Sequence, residues 1–145
     1  MYKHLLIPTD GSELSGAAVR EGMRLARAIG ARVTVLTVTP PFHAATLDAA
    51  MLTSVPEHYD EDCKAAAERY LRVAKEAAAN ADVRGDYLHV VSDYPYEAIV
   101  DTAGRAGCDL IFMASHGRRG VAALLLGSET TKVLTHSKIP VLVCR

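Results

Sequence analysis

The sequence predicts an α/β fold, a single doubly wound, mainly parallel five-stranded sheet with helices on both faces, formed by residues 1–145 as one domain. Three observations predict it. Short runs rich in β-branched residues are too apolar for burial on one side only. Segments with helical spacing alternate with those runs, as right-handed crossovers between parallel strands require. The chain has 145 residues, 50% of them hydrophobic, which is room for one core without disulfide or metal staples.

The first strand is read over His4 to Ile7. A helix follows from Glu13 to Ile29, with Leu14, Ala17, Ala18, Leu25, Ala26 and Ile29 on one face. Ser12 is suited to cap its start and Gly30 its end. Arg32 to Thr37 is the second strand. Thr39 to Pro56 contains Pro40, Pro41 and Pro56 and has no clear period, so it reads as a long, partly mobile connection. From about Glu57 to Ala79 an apolar stripe of Cys63, Ala67, Tyr70, Leu71, Ala74 and Ala78 marks an amphipathic helix. Tyr87 to Val91 is a weaker strand. Pro95 to Ala106 is a helix with proline at a tolerated first-turn position and Asp93 just upstream. Leu110 to Ala114 is a strand, a helix lies near Ser128 to Ser137, and Ile139 to Cys144 is the last strand. The sequence contains no internal repeat or low-complexity tract.

Composition excludes several classes. Sixteen Lys+Arg oppose seventeen Asp+Glu, so no field of one sign draws the protein to nucleic acid or an anionic membrane. Cys63, Cys108 and Cys144 are far apart and form no CxxC or Cys/His ligand pair, a pattern that suits a reducing compartment. The start of the chain lacks the long apolar region and cleavage site of a signal peptide, and no run reaches the roughly 18 apolar residues of a membrane span. The expected location is cytoplasmic. His4, His43, His58, His89 and His136 are scattered without metal-site spacing, and no metal site made by the protein alone is expected.

In open α/β sheets ligands settle beyond the carboxyl ends of strands, where the strand order reverses. Two turn-forming segments follow apolar strands here. In Pro8-Thr9-Asp10-Gly11-Ser12, Asp10 and Ser12 are good helix starters, and a capped turn explains them. Asp10 is also placed to reach a ribose hydroxyl or a phosphate-bound cation. The second segment is Ala114-Ser115-His116-Gly117-Arg118-Arg119-Gly120, continuing to Gly127-Ser128. Glycines admit a phosphate close to the backbone, and the following helix offers unpaired N–H groups and the positive end of its dipole. Arg118 and Arg119 read as a solvated pair. The dinucleotide fingerprint and the P-loop are both absent. His116 beside Ser115 reads as a loop residue near the ligand, since no nucleophile elbow accompanies it.

With these residues in place, the chain resembles the universal stress protein family over essentially its whole length, and specifically its ATP-binding branch. "KHLLIPTDGSELSGAAV" is similar to the family's opening strand and helix, "VTVLTV" to its second strand and "PYEAIVDTA" to its third helix. "CDLIFMASHGRRGVAALLLGSETTKVLTHSKIPVLVCR" is similar to its nucleotide loop and closing strand. The branch's G-2x-G-9x-G-[ST] spacing runs from position 114 through Gly117 to Gly127-Ser128, with Ala114 at the first glycine's position. One added methyl is compatible with the pocket if that residue has φ < 0, as at a strand end.

The resemblance implies strand order 3-2-1-4-5, an adenine nucleotide alpha hydrolase-like fold, and ATP as ligand, with any magnesium entering through ATP phosphates near Asp10. Pro8, Thr9 and Asp10 would line the adenosine side, with Val38 beside the adenine. Met113 and Ala114 would form the floor, and Gly117, Gly127, Ser128, Glu129 and Thr130 would surround the triphosphate. Glu129 would repel phosphate unless its side chain turns outward or a cation intervenes, and it suits a helix first turn in any case. Val38 and Met113 are of a type that a core position alone would explain. The resemblance also implies a homodimer through the last strand. The apolar edge Pro140 to Cys144 supports this physically, since pairing with a second copy removes an exposed edge.

The function expected is therefore an ATP-binding, homodimeric regulator of stress response, acting on a protein partner that the sequence does not identify. The alternative is a nucleotide-free dimeric interaction module of the same family. A slow ATP hydrolase ranks third, because only His116 and Asp10 are placed to orient water. An enzymatic main role is not expected.

Overall fold

The computed structural model describes residues 1–43, 56–117 and 125–145. Strands and helices alternate through them: β1 (His4–Pro8), α1 (Glu13–Ile29), β2 (Arg32–Thr39), α2 (Pro56–Ala81), β3 (Gly85–Val91), α3 (Pro95–Ala106), β4 (Leu110–Ala114), α4 (Ser128–His136) and β5 (Val141–Cys144). The sheet order is β3-β2-β1-β4-β5 and every pairing is parallel.

Period-two alternation divides the apolar strands between two cores. On one face Leu5, Ile7, Val33, Val35, Leu110 and Phe112 cluster with Val19 and Met23 of α1 and Leu71 and Ala74 of α2. On the other, Leu6, Leu36, Ile111 and Met113 cluster with Ile99 and Ala103 of α3 and Val133 of α4. Burial on both faces is why these strands read as continuous apolar runs rather than alternating ones.

The helix punctuation follows the residue types. Ser12 Oγ accepts from the Ser15 N–H at the start of α1, and Gly30, at φ 68°, closes it in the left-handed region. The buried face of α1 overlaps the one expected, with Ala18 and Ala26 buried and Leu25 and Ile29 packed against the core, and extends beyond it. It consists of Ser15, Ala18, Val19, Gly22, Met23 and Ala26, whereas Leu14 is 42% exposed. Gly22 lets the helix approach Ile7 and Phe112 so closely that a Cβ there would lie 2.6 Å from Ile7 Cδ1. That contact turns the Gly22 side of α1 to the sheet.

The last strand begins at Val141, two residues later than expected. Ser137 Oγ donates to Ile139 O and accepts from the Ile139 N–H, a local turn that holds residues 137–139 out of the ladder. Most of the long connection expected over Thr39 to Pro56 lies outside the described residues, as do Arg118 and Arg119.

The crossovers from β1 to β3 place α1 and α2 on one side, and the order reverses between β1 and β4. The carboxyl ends of those two strands therefore diverge into turns that leave opposite faces, opening a crevice between them. No described helix is long and apolar enough to cross a membrane.

Candidate functional site

A cleft of about 450 Å³ occupies that crevice. Its lining includes Pro8, Thr9 and Asp10 from the end of β1, Val38 from β2, Met113 and Ala114 from β4, and Gly117, Gly127, Ser128, Glu129 and Thr130 from the following segment and α4. Every residue singled out from the sequence as a candidate ligand contact is thus brought to one cleft.

The β1 turn is held by its own side chains. Thr9 N–H donates to Leu36 O at 2.8 Å, and Thr9 Oγ1 lies 3.0 Å from Ser15 Oγ. Asp10 Oδ1 accepts from the Ser12 N–H at 2.9 Å, an Asx turn that fixes the carboxylate at the mouth of the cleft. Gly11, at φ 77°, lies directly under the Tyr70 ring of α2, where a Cβ has no space.

Across the crevice the loop after β4 is closed at its base. Ser115 N–H donates to Cys144 O at 2.9 Å, and Gly127 N–H donates to Ser115 O at 2.8 Å. The Gly127 amide is therefore committed to loop closure rather than offered to a ligand. A Cβ at Gly127 would sit 3.1 Å from Ser115 O and 3.3 Å from His116 Cα, and one at Gly117 would sit 2.5 Å from Asp10 Oδ2. Both glycines thus permit close approach of backbone to backbone or to a carboxylate.

Gly127 is also the N-cap of α4, and with no side chain it leaves that helix start without a side-chain cap. Helix geometry leaves the first N–H groups, those of Ser128, Glu129 and Thr130, without intrahelical acceptors. They and the positive end of the helix dipole make this end of the cleft favourable to an anion. The Thr130 side chain points elsewhere. Its buried hydroxyl donates to Ala114 O at 3.0 Å, tying the first turn of α4 to the end of β4.

Ala114 lies within β4 and among the residues of the α1-side core, and Asp82 is the one non-glycine residue with positive φ among those described. The Ala114 methyl is thus accommodated by packing. His116 lines the cleft, with Nδ1 3.0 Å from Ser115 Oγ.

Glu129 lines the cleft with its carboxylate anchored to the start of α3. Its Oε2 accepts from the Tyr96 N–H at 2.9 Å and its Oε1 lies 3.3 Å from Lys132 Nζ. Tyr94, the N-cap of α3, offers no side-chain cap, so Glu129 caps the start of α3 from the neighbouring helix.

The sequence reading missed one wall. Pro40, Ser92, Asp93, Pro95 and Ile99 complete the cleft on the β3–α3 side, with Ser15 and Leu36 below. The turn at Ser92 to Pro95 follows an edge strand, away from the reversal of strand order, and it reaches the cleft through the pairing of β3 with β2. Asp10, Asp93 and Glu129 give the cleft three carboxylates, and none of its described lining residues is Lys or Arg. No described group of three or more His, Cys, Asp or Glu residues is placed to hold a metal ion. A second concavity, of about 520 Å³, lies at the opposite end of the sheet beside Lys3, Arg27, Arg32 and Arg84. There Arg27 pairs with Asp82 at 2.8 Å, an exposed contact of little energetic weight.

Comparison with known proteins places this geometry. The sequence profile described as the universal stress protein family matches residues 1–145. The universal stress protein YxiE of Bacillus subtilis is 31% identical, with all of both chains covered. Among solved structures, protein MJ0577 superposes with a TM-score of 0.82 at 28% identity, covering 99% of this chain and 95% of that one. A universal stress protein in complex with cAMP superposes with a TM-score of 0.74 at 29% identity, covering 99% and 97%.

Proposed function

The chain belongs to the universal stress protein family, and from that premise we propose that it is an ATP-binding homodimeric regulator of stress response, with the cleft between β1 and β4 as its nucleotide site. One observation carries this reading: the candidate residues from four separate segments line a single cleft that ends at the uncapped start of α4. The cAMP complex of a relative supports an adenine nucleotide as the ligand class. Val38 and Met113 would offer apolar surface to the base and Asp10 would meet a ribose hydroxyl or a phosphate-bound cation, a reading supported by their shared place in the cleft lining. The N–H groups of Ser128 and Glu129 would receive phosphate oxygens. Pro8, Thr9, Ala114, Gly117, Gly127 and Thr130 shape the enclosure.

The nucleotide-free alternative drew on Ala114. With its methyl packed in the core and its backbone in the strand region, that residue gives the alternative no support. The reading is of a binder rather than a catalyst. If the protein hydrolyses ATP, turnover lies far below the roughly 1 to 1000 per second of ordinary enzymes.

Dimerisation is proposed through β5, which forms the sheet edge and leaves Leu142 39% exposed. Equilibrium dialysis with labelled ATP and magnesium tests the central claim. Saturable binding is expected, and an absence of binding at millimolar nucleotide removes it.

A further inference from the structure

We propose that Glu129 sets the charge the cleft accepts: it disfavours a nucleotide whose phosphates carry their full negative charge and admits the same nucleotide once a divalent cation neutralises part of it. The inference rests on the cleft being a nucleotide site.

The carboxylate stands close to where phosphate would bind. Glu129 is the second residue of α4, in the turn whose N–H groups face an incoming anion, and it lines the cleft. A side chain free to rotate could swing into solvent when phosphate arrives. This one is held. Its Oε2 accepts the Tyr96 N–H at 2.9 Å, and the N-cap of α3 supplies no side chain to take over that donor. Moving Glu129 away therefore uncaps α3, whose first turn carries Pro95 on the cleft wall.

Among the described residues the charge is only partly offset. Lys132 approaches Oε1 at 3.3 Å, but the two side chains are 49% and 38% exposed, which leaves the pair screened and weak. Asp10 and Asp93 add to the same sign, and no described lining residue carries a fixed positive charge. The dipole of α4 attracts one phosphate, and the anchored carboxylate sets a limit on how much further negative charge can gather there. For unit charges separated by roughly one helical turn, the penalty runs from about fourfold in affinity at the dielectric of water to roughly two-hundredfold at an effective dielectric of 20, and about tenfold lies between these limits for a partly exposed carboxylate.

The test compares ATP with AMP by isothermal titration calorimetry, in EDTA and in excess magnesium, on the full chain. Glu129→Gln keeps an oxygen able to accept from Tyr96 while removing the charge. Amide exchange at Tyr96 verifies that the cap is retained. In EDTA the ratio of ATP to AMP affinity is expected to rise about tenfold in this variant, and in magnesium by less than about threefold. Lys132→Met, on the exposed face and outside the cleft, removes the partial counter-charge and is expected to lower the same ratio. A merely structural role for Glu129 moves both nucleotides equally. Equal changes for ATP and AMP, or matching shifts in both variants, overturn the inference while leaving the nucleotide site standing. Failure of the wild-type protein to bind either nucleotide overturns the site assignment and the inference with it.

Discussion

The most informative single substitution is Thr130→Val. Thr130 is 3% exposed, and its hydroxyl donates to Ala114 O at 3.0 Å across the junction of β4 and α4. Valine preserves the shape of the side chain and deletes only the donor. The Ala114 carbonyl then loses its hydroxyl partner in a buried setting, which costs about 1–3 kcal/mol. For a chain of this size each kcal/mol corresponds to roughly 4 °C in Tm, so the melting temperature should fall by about 4–12 °C.

The assays are thermal unfolding and urea unfolding without ligand, with the slope m checked against wild type so that a change in urea midpoint reports stability alone. Thr130→Ser is the control. It keeps the donor and removes one methyl, for an expected loss of about 0.8 kcal/mol. The alternative is that the hydroxyl is directed at a ligand and has no structural partner. In that case valine, which exchanges a polar atom for a methyl in a buried place, would leave the ligand-free protein as stable as wild type or more so. A loss below about 0.3 kcal/mol in the valine variant, well under the range for a broken buried hydrogen bond, would refute the reasoning.

The two glycines should separate in a double-mutant cycle: among the described residues Gly117→Ala overlaps only the Asp10 carboxylate, so Asp10→Ala should relieve it, whereas Gly127→Ala presses on the main chain at Ser115 and His116 and should not be relieved. Urea unfolding of the single and double variants reads the difference as non-additivity in the first pair and additivity in the second. His4 is buried with Nε2 2.7 Å from Thr34 Oγ1; burial, and then nearby Arg32, lower its pKa, so the fold favours the neutral ring. Its contribution is complete above the unfolded value of about 6.5 and is lost as the pH falls below that value through the folded one, and His4→Gln should flatten the stability profile in that window. Leu142→Lys places a charge on the exposed edge β5, and light scattering coupled to size exclusion is expected to give a dimer for the wild-type chain and a monomer for the variant.

Most of the architecture was legible because both faces of the sheet are buried. A strand covered on one side alternates and is easily confused with a loop, but Leu5-Leu6-Ile7 and Leu110-Ile111-Phe112 have no polar interruption. Order and alternation then left few topologies to consider. What escaped depended on distance rather than type. On α1 the core contacts of Ala18, Leu25, Ala26 and Ile29 were readable, but Gly22, which has no side chain to count in a periodicity, was not, and it governs how closely the helix approaches Ile7. The Ser92 to Pro95 wall escaped because nothing in its composition differs from that of an ordinary turn, and only the adjacency of β3 and β2 brings it to the cleft.

Glu129 shows the same limit at the level of a single atom. Its helix-start position was readable from sequence, and an acidic residue there is favourable on any helix. Which helix it serves was not readable, since its acceptor oxygen is used by Tyr96, 33 residues earlier in the chain. That long-range bond changes the meaning of the residue. A carboxylate capping only its own helix is free to move when an anion arrives, whereas one that completes the cap of a neighbour resists displacement. The electrostatics of the cleft therefore depend on the packing of α3 against α4, and a change at that helix pair should alter which nucleotide is held without touching any residue that contacts it.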